Sequence, residues 1–126
     1  MPKARNRYDR CSQALQWMQA QWPVGRPLQL VWKDVCIDYE TGKPDPEILG
    51  QTLRDGKWIV IEMKRRHCRD CLMSTLRHEF AHAVLWGHAS VEFDVEAHPP
   101  HMGSLLWEIE NLWNEIGHEE ADEYDP

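Results

Sequence analysis

The segment LRHEFAHAVLWGH, Leu76 to His88, carries two histidines four residues apart, with a glutamate directly after the first. On an α-helix, residues i and i+4 stand one above the other, so His78 and His82 would aim their imidazoles at one point. Neutral imidazole nitrogen binds zinc at roughly 2.0–2.1 Å in tetrahedral geometry. Glu79 lies about 100° around the helix from His78, out of line as a ligand but within reach of a water at the metal. Zinc lowers the pKa of such a water to about 7, and a carboxylate beside it serves as general base. The H-E-x-x-H pattern therefore predicts Zn2+ held by His78 and His82. With Glu79 as base, such a site attacks a carbonyl and returns the proton to a leaving amine.

A site of this kind needs a third protein ligand, and His88, His98, His101 and Glu108 all follow. His88 stands at the spacing of the third histidine of metzincins. Those sites turn the chain at a glycine where this sequence has Leu85, a residue disfavoured at positive φ, and Gly87 comes two residues late. Glu108 would follow the thermolysin-like scheme, a carboxylate from a later helix, but beside Trp107 it also reads as a solvated side chain. His98 and His101 frame HPPH, a stiff link because two prolines fix φ. The residues alone leave the third ligand open. Tyr39 and the spare histidines are candidates to stabilise an oxyanion, and nothing in the sequence chooses among them.

Elements must hold these groups in place. YDRCSQALQWMQAQW repeats Cys11, Leu15, Met18 and Trp22 at helical spacing, with Asp9 as a cap and Pro23 as a stop. PLQLVWKDVCID alternates through Leu28, Leu30 and Trp32, and Val35 and Ile37 continue the apolar face after a bulge. YETGKPDPE is turn and loop chemistry. ILGQTLRDGKWIVIEMK reads as a hairpin turning at Asp55-Gly56, with Ile59, Ile61 and Met63 on one face. The motif helix is expected from Asp70, as N-cap, to near Trp86, with Gly87 in the left-handed C′ conformation. Leu72, Leu76, Phe80 and Ala83 form its core stripe, roughly opposite His78 and His82. A long loop, Gly87 to Met102, leads to a final helix, GSLLWEIENLWNEIG. That helix turns Leu105, Ile109, Leu112 and Ile116 inward, with Trp113 in support.

The 126 residues predict one domain with one core. No apolar run reaches the length of a membrane span and the N-terminus lacks a signal-peptide core, so a cytoplasmic protein is expected. The four cysteines are then expected to be reduced. Cys68 and Cys71 form a lone C-x-x-C without a second pair, which reads as two cysteines flanking a helix start in preference to a second metal or redox site. Charge is segregated. Residues 1–77 hold fourteen basic and nine acidic side chains, net +5, while residues 78–126 hold twelve acidic and no lysine or arginine, net −12. MKRRHCR could meet phosphates, but the acidic second half disfavours a nucleic-acid partner.

At this point the chain resembles the SprT-like zincin family, which includes the Spartan DNA–protein crosslink proteases and many short bacterial and phage members. The resemblance runs from Asp9 to Gly117. ILGQTL resembles the glycine-bearing strand that begins the family hairpin, KWIVIEM the strand that follows, and LRHEFAHAVLW the L-x-H-E-x-x-H-A helix. HMGSLLWEIENLW resembles the family's H-G-x-x-W/F segment, whose histidine is the third zinc ligand, which implies His101 in that role. Gly103 stands two residues after His101 where the family has one, and Trp107 six where it has four. These 126 residues are expected to hold no counterpart of the family's downstream zinc ribbon.

The resemblance implies an α+β, minimal zincin-like fold: an N-terminal helix, a small three-stranded sheet, the H-E-x-x-H helix and a C-terminal helix. Residues 1–117 would form a single metallopeptidase domain, and 118–126 an acidic tail. The expected activity is zinc-dependent hydrolysis of a protein or peptide substrate, in the cytoplasm or, for a phage-encoded chain, in the host cell. The alternative is a catalytically inactive zincin-fold binding module whose acidic C-terminal half contacts a basic partner.

Overall fold

A computed structural model describes residues 5–66, 69–88, 105, 107–109 and 111–112, with backbone alone for 69, 70 and 86–88. Helix α1 spans Arg7–Gln21. Its N-cap is Asn6, not Asp9: Asn6 has an extended backbone and its side chain accepts from the Asp9 amide at 2.9 Å. Asp9 instead sits in the first turn, where its charge suits the positive end of the helix dipole. Cys11, Ala14, Leu15 and Met18 are buried at helical spacing, and the Trp22 amide closes the helix onto the Met18 carbonyl ahead of Pro23.

Three strands form the main sheet in the order β1-β5-β4, where β1 is Leu28–Lys33, β4 is Gly50–Asp55 and β5 is Trp58–Lys64. β1 runs parallel to β5, with Leu28 beside Ile59 and Trp32 beside Met63. β4 and β5 form the expected hairpin, in which Asp55 faces Trp58. Gly56 takes φ +58° while Lys57 keeps a negative φ, as a type II′ turn requires. Strand alternation puts Leu28, Leu30 and Trp32 on the same face as Ile59, Ile61 and Met63, and the last three are fully buried there.

The stretch between β1 and β4 departs from the sequence reading. β2 (Cys36–Asp38) and β3 (Lys43–Asp45) pair antiparallel in a separate two-stranded sheet, with Ile37 opposite Pro44. Asp34 leaves the main sheet to meet Arg65 at 2.7 Å, and that exit resets the alternation. Cys36 turns inward, whereas Val35 and Ile37, read as core, stand 37% and 40% exposed. Gln51 Nε2 ties the small sheet to the large one by donating to the Ile37 carbonyl (3.0 Å) and to Glu62 Oε1 (2.8 Å).

Helix α2 spans Arg69–His88 and packs across β4 and β5, with α1 against it. It begins one residue before Asp70 and passes through Gly87, so neither residue caps it as expected. Glycine inside a helix costs about 1 kcal/mol and does not by itself force a stop. Leu72, Leu76, Phe80 and Ala83 are fully buried. Leu105, residues 107–109, Asn111 and Leu112 are helical. Ile109 is fully buried in the core, Leu105 packs against it and Leu112 is half-buried, as their periodicity predicts. Cys68, Trp113, Ile116, the expected loop from residue 89 to Met102 and the expected 118–126 tail lie outside the described residues. No helix among the described residues is long and apolar enough to cross a membrane.

The packing of α2 on β4 is close enough to require glycine. A Cβ at Gly50 would meet Thr75 Cγ2 at 2.9 Å and Met63 Sδ at 3.0 Å. Thr75 is β-branched and sits on the helix itself, so it has little freedom to yield. Gly50→Ala is expected to lower unfolding free energy by about 1–3 kcal/mol in urea titration, the usual range for overpacking. Unchanged stability would show that α2 shifts freely on the sheet.

Candidate metal centre

The buried arc of α2 runs from Glu79 through Leu72, Leu76, Ala83 and Phe80 to Val84 and Ala81. His78 and His82 fall on the flank beyond that arc and are half-buried. One turn of helix therefore splits the motif: the two imidazoles reach the surface strip, and the carboxylate between them in sequence dips toward β4.

His78 Nε2 and His82 Nε2 are 3.3 Å apart, with ring centroids at 4.9 Å. Two ligands at 2.0–2.1 Å with a tetrahedral angle between them are about 3.3–3.4 Å apart, so the two nitrogens are already spaced as zinc ligands. The donor chemistry agrees, since imidazole is a common zinc ligand. The pair therefore fits two of the positions around a zinc ion.

Glu79 is buried, at 8% exposure, and its carboxyl lies 3.1 Å from Thr52 Oγ1. The same hydroxyl is 2.9 Å from the Glu79 carbonyl oxygen. Burial pushes the Glu79 carboxyl up from 4.5 to about 7, against a smaller lowering by the Thr52 hydrogen bond. The site thus holds a carboxyl whose proton affinity suits exchange near neutral pH.

The other candidates separate. Glu108 is exposed, and among the described residues no group of three His, Cys, Asp or Glu side chains could hold a metal ion, so Glu108 does not join the pair. His88 ends α2, where only its backbone is described; His98 and His101 lie outside the described residues. Tyr39 is 58% exposed. Burial, Glu62 and Cys36 push its hydroxyl up against the opposing Lys33. Of the cysteines, Cys11 is pushed up to about 12 by burial and Cys36 also upward by burial, so both are poor nucleophiles, while Cys71 is exposed.

Sequence reasoning missed Thr52. The available signal was its phase: in GQTLRD it alternates with Gly50 and so shares the inward face, where a hydroxyl needs a partner. It also missed Glu62, buried on the opposite face between Gln51 and Lys33, whose Nζ lies 3.6 Å from Glu62 Oε2. Comparison of the chain with family models, with curated proteins and with solved structures finds no match.

The raised Glu79 carboxyl makes stability depend on pH. Below about 4.5 the group is protonated folded and unfolded alike; as pH rises toward 7 the unfolded chain ionises first, and the folded state loses ground. The metal-free protein is therefore expected to lose stability across that window, by up to about 3 kcal/mol. Glu79→Gln should lack this loss. Urea unfolding at pH steps from 4.5 to 8 compares the two, and parallel curves would contradict the assignment.

Proposed function

We propose that the chain is a zinc-dependent metallopeptidase with a minimal zincin-like fold of the SprT-like type. One observation carries the reading: two imidazole nitrogens at zinc-ligand spacing on one helix, with a buried carboxyl from the intervening turn. The order of helix, small sheet and motif helix supports it. His78 and His82 would hold the metal, and His101 is the third ligand that the resemblance to the SprT-like family implies.

When bound, zinc supplies a Lewis acid that polarises a peptide carbonyl and makes water acidic enough to deprotonate near neutral pH. Glu79 removes the proton from the attacking water at a carboxyl oxygen and delivers it to the departing amine nitrogen. Its burial raises proton affinity enough for both transfers. The rigid helix fixes the two histidines and Glu79 relative to one another, so little ordering is left for the moment of reaction. The substrate is a protein or peptide.

Metal analysis and a peptide-hydrolysis assay test this directly. Wild type is expected to carry one zinc per chain and cleave peptides. Glu79→Gln should keep the metal and lose turnover by about 10²- to 10⁴-fold. His82→Ala and His101→Ala should lose the metal, with His88→Ala and His98→Ala retaining it. A folded wild type that takes up no zinc would defeat the reading. Zinc without cleavage of any peptide would favour the binding module that the acidic C-terminal half suggests.

A further inference from the structure

Thr52 has one hydroxyl hydrogen and two acceptors within reach, the Glu79 carbonyl oxygen at 2.9 Å and Glu79 Oε1 at 3.1 Å. The hydrogen can point fully at only one of them. Directed at Oε1, it stabilises a carboxylate by a charge-assisted hydrogen bond. Directed at the carbonyl, it leaves an Oγ1 lone pair facing Oε1, and that lone pair accepts the hydrogen of a protonated carboxyl. One heavy-atom arrangement therefore satisfies Glu79 with or without its proton. Switching between them takes a rotation of the Thr52 hydroxyl and no movement of the carboxyl.

We propose that Thr52 is the positioning residue for Glu79, holding its carboxyl at one place through both halves of the proton transfer. The proposal rests on the metallopeptidase reading, in which Glu79 gains a proton from water and gives it to the leaving nitrogen. Thr52 keeps its own proton throughout. The surroundings favour such a role. Thr52 is 1% exposed, so water does not compete for the hydroxyl. It faces Ile61 in the sheet register, which fixes the direction of its side chain. The Glu79 carbonyl lies mid-helix, where the amide four residues on already supplies a donor. The bond to that carbonyl is thus not needed to satisfy the backbone, but it provides a resting position for the hydroxyl hydrogen.

Thr52→Val keeps the shape and removes the hydroxyl; Thr52→Ser restores it. In the zinc-loaded protein Thr52→Val is expected to lower kcat about 10- to 100-fold, with KM and zinc content unchanged, and Thr52→Ser to recover most of the loss. A second readout needs no metal: the infrared carboxyl band of Glu79, assigned by difference against Glu79→Gln, should shift in Thr52→Val and return in Thr52→Ser. If Thr52→Val does not fold, Thr52→Ala removes the same group with a smaller side chain. A folded Thr52→Val with wild-type kcat and an unshifted band overturns the proposal, even if its melting temperature falls. Absence of zinc or of cleavage in wild type would strike the metallopeptidase reading instead, and the infrared comparison would still decide the role of Thr52.

Discussion

The architecture of the site depends on how closely α2 lies against β4. Along the helix, Thr75 and Glu79 are four residues apart, about 6 Å of rise; along the strand, Gly50 and Thr52 are two residues apart, about 6.8 Å. The two periods nearly match, so consecutive inward positions of the strand meet consecutive turns of the helix. Gly50 gives the clearance under Thr75, and Thr52 meets Glu79 with a hydroxyl. A side chain at position 50 would press on Thr75 and Met63, and so on the spacing that sets the hydroxyl against the carboxyl.

This contact resolves a conflict within the motif. Residues at i, i+1 and i+4 of a helix cannot all face one way. The apolar stripe of α2 demands burial, the imidazoles need access to solvent, and the carboxylate falls at the border between them. Burying a carboxylate opposes folding, and here the opposition appears as a raised proton affinity. The same desolvation gives the group a useful proton affinity near neutral pH. In the proposed peptidase role, stability and chemistry thus pull on Glu79 in opposite directions, and the Thr52 hydroxyl is bonded to the group on which both act.

Much of this was legible in the residues. The stripe Leu72, Leu76, Phe80, Ala83, the inward face Ile59, Ile61, Met63 and the Asp55-Gly56 hairpin all follow from periodicity and turn chemistry, and each is where it was expected. The β2–β3 pair was not legible, because YETGKPDPE is built from turn formers and contains a proline that usually argues against a strand. A two-stranded ladder has outer edges that need no donor, so Pro44 is tolerated there. The parallel partnership of β1 with β5 and the contact of Thr52 with Glu79 join residues distant in sequence, and local pattern carries no record of either. The cap at Asn6 was obscured by Asp9, a cap-forming residue type that lies three residues further on, in the first turn of the helix.

The parallel pairing sets an order of assembly. β4 and β5 are joined by a two-residue turn, and such hairpins close in about 1–10 μs. β1 can dock only after the intervening chain has formed a long loop, since Leu28 must come to rest beside Ile59. Every described group of the candidate centre, Thr52, His78, Glu79 and His82, belongs to the continuous segment from β4 through α2. During synthesis the first strand leaves the ribosome early and has no ladder partner until β5 arrives to receive it.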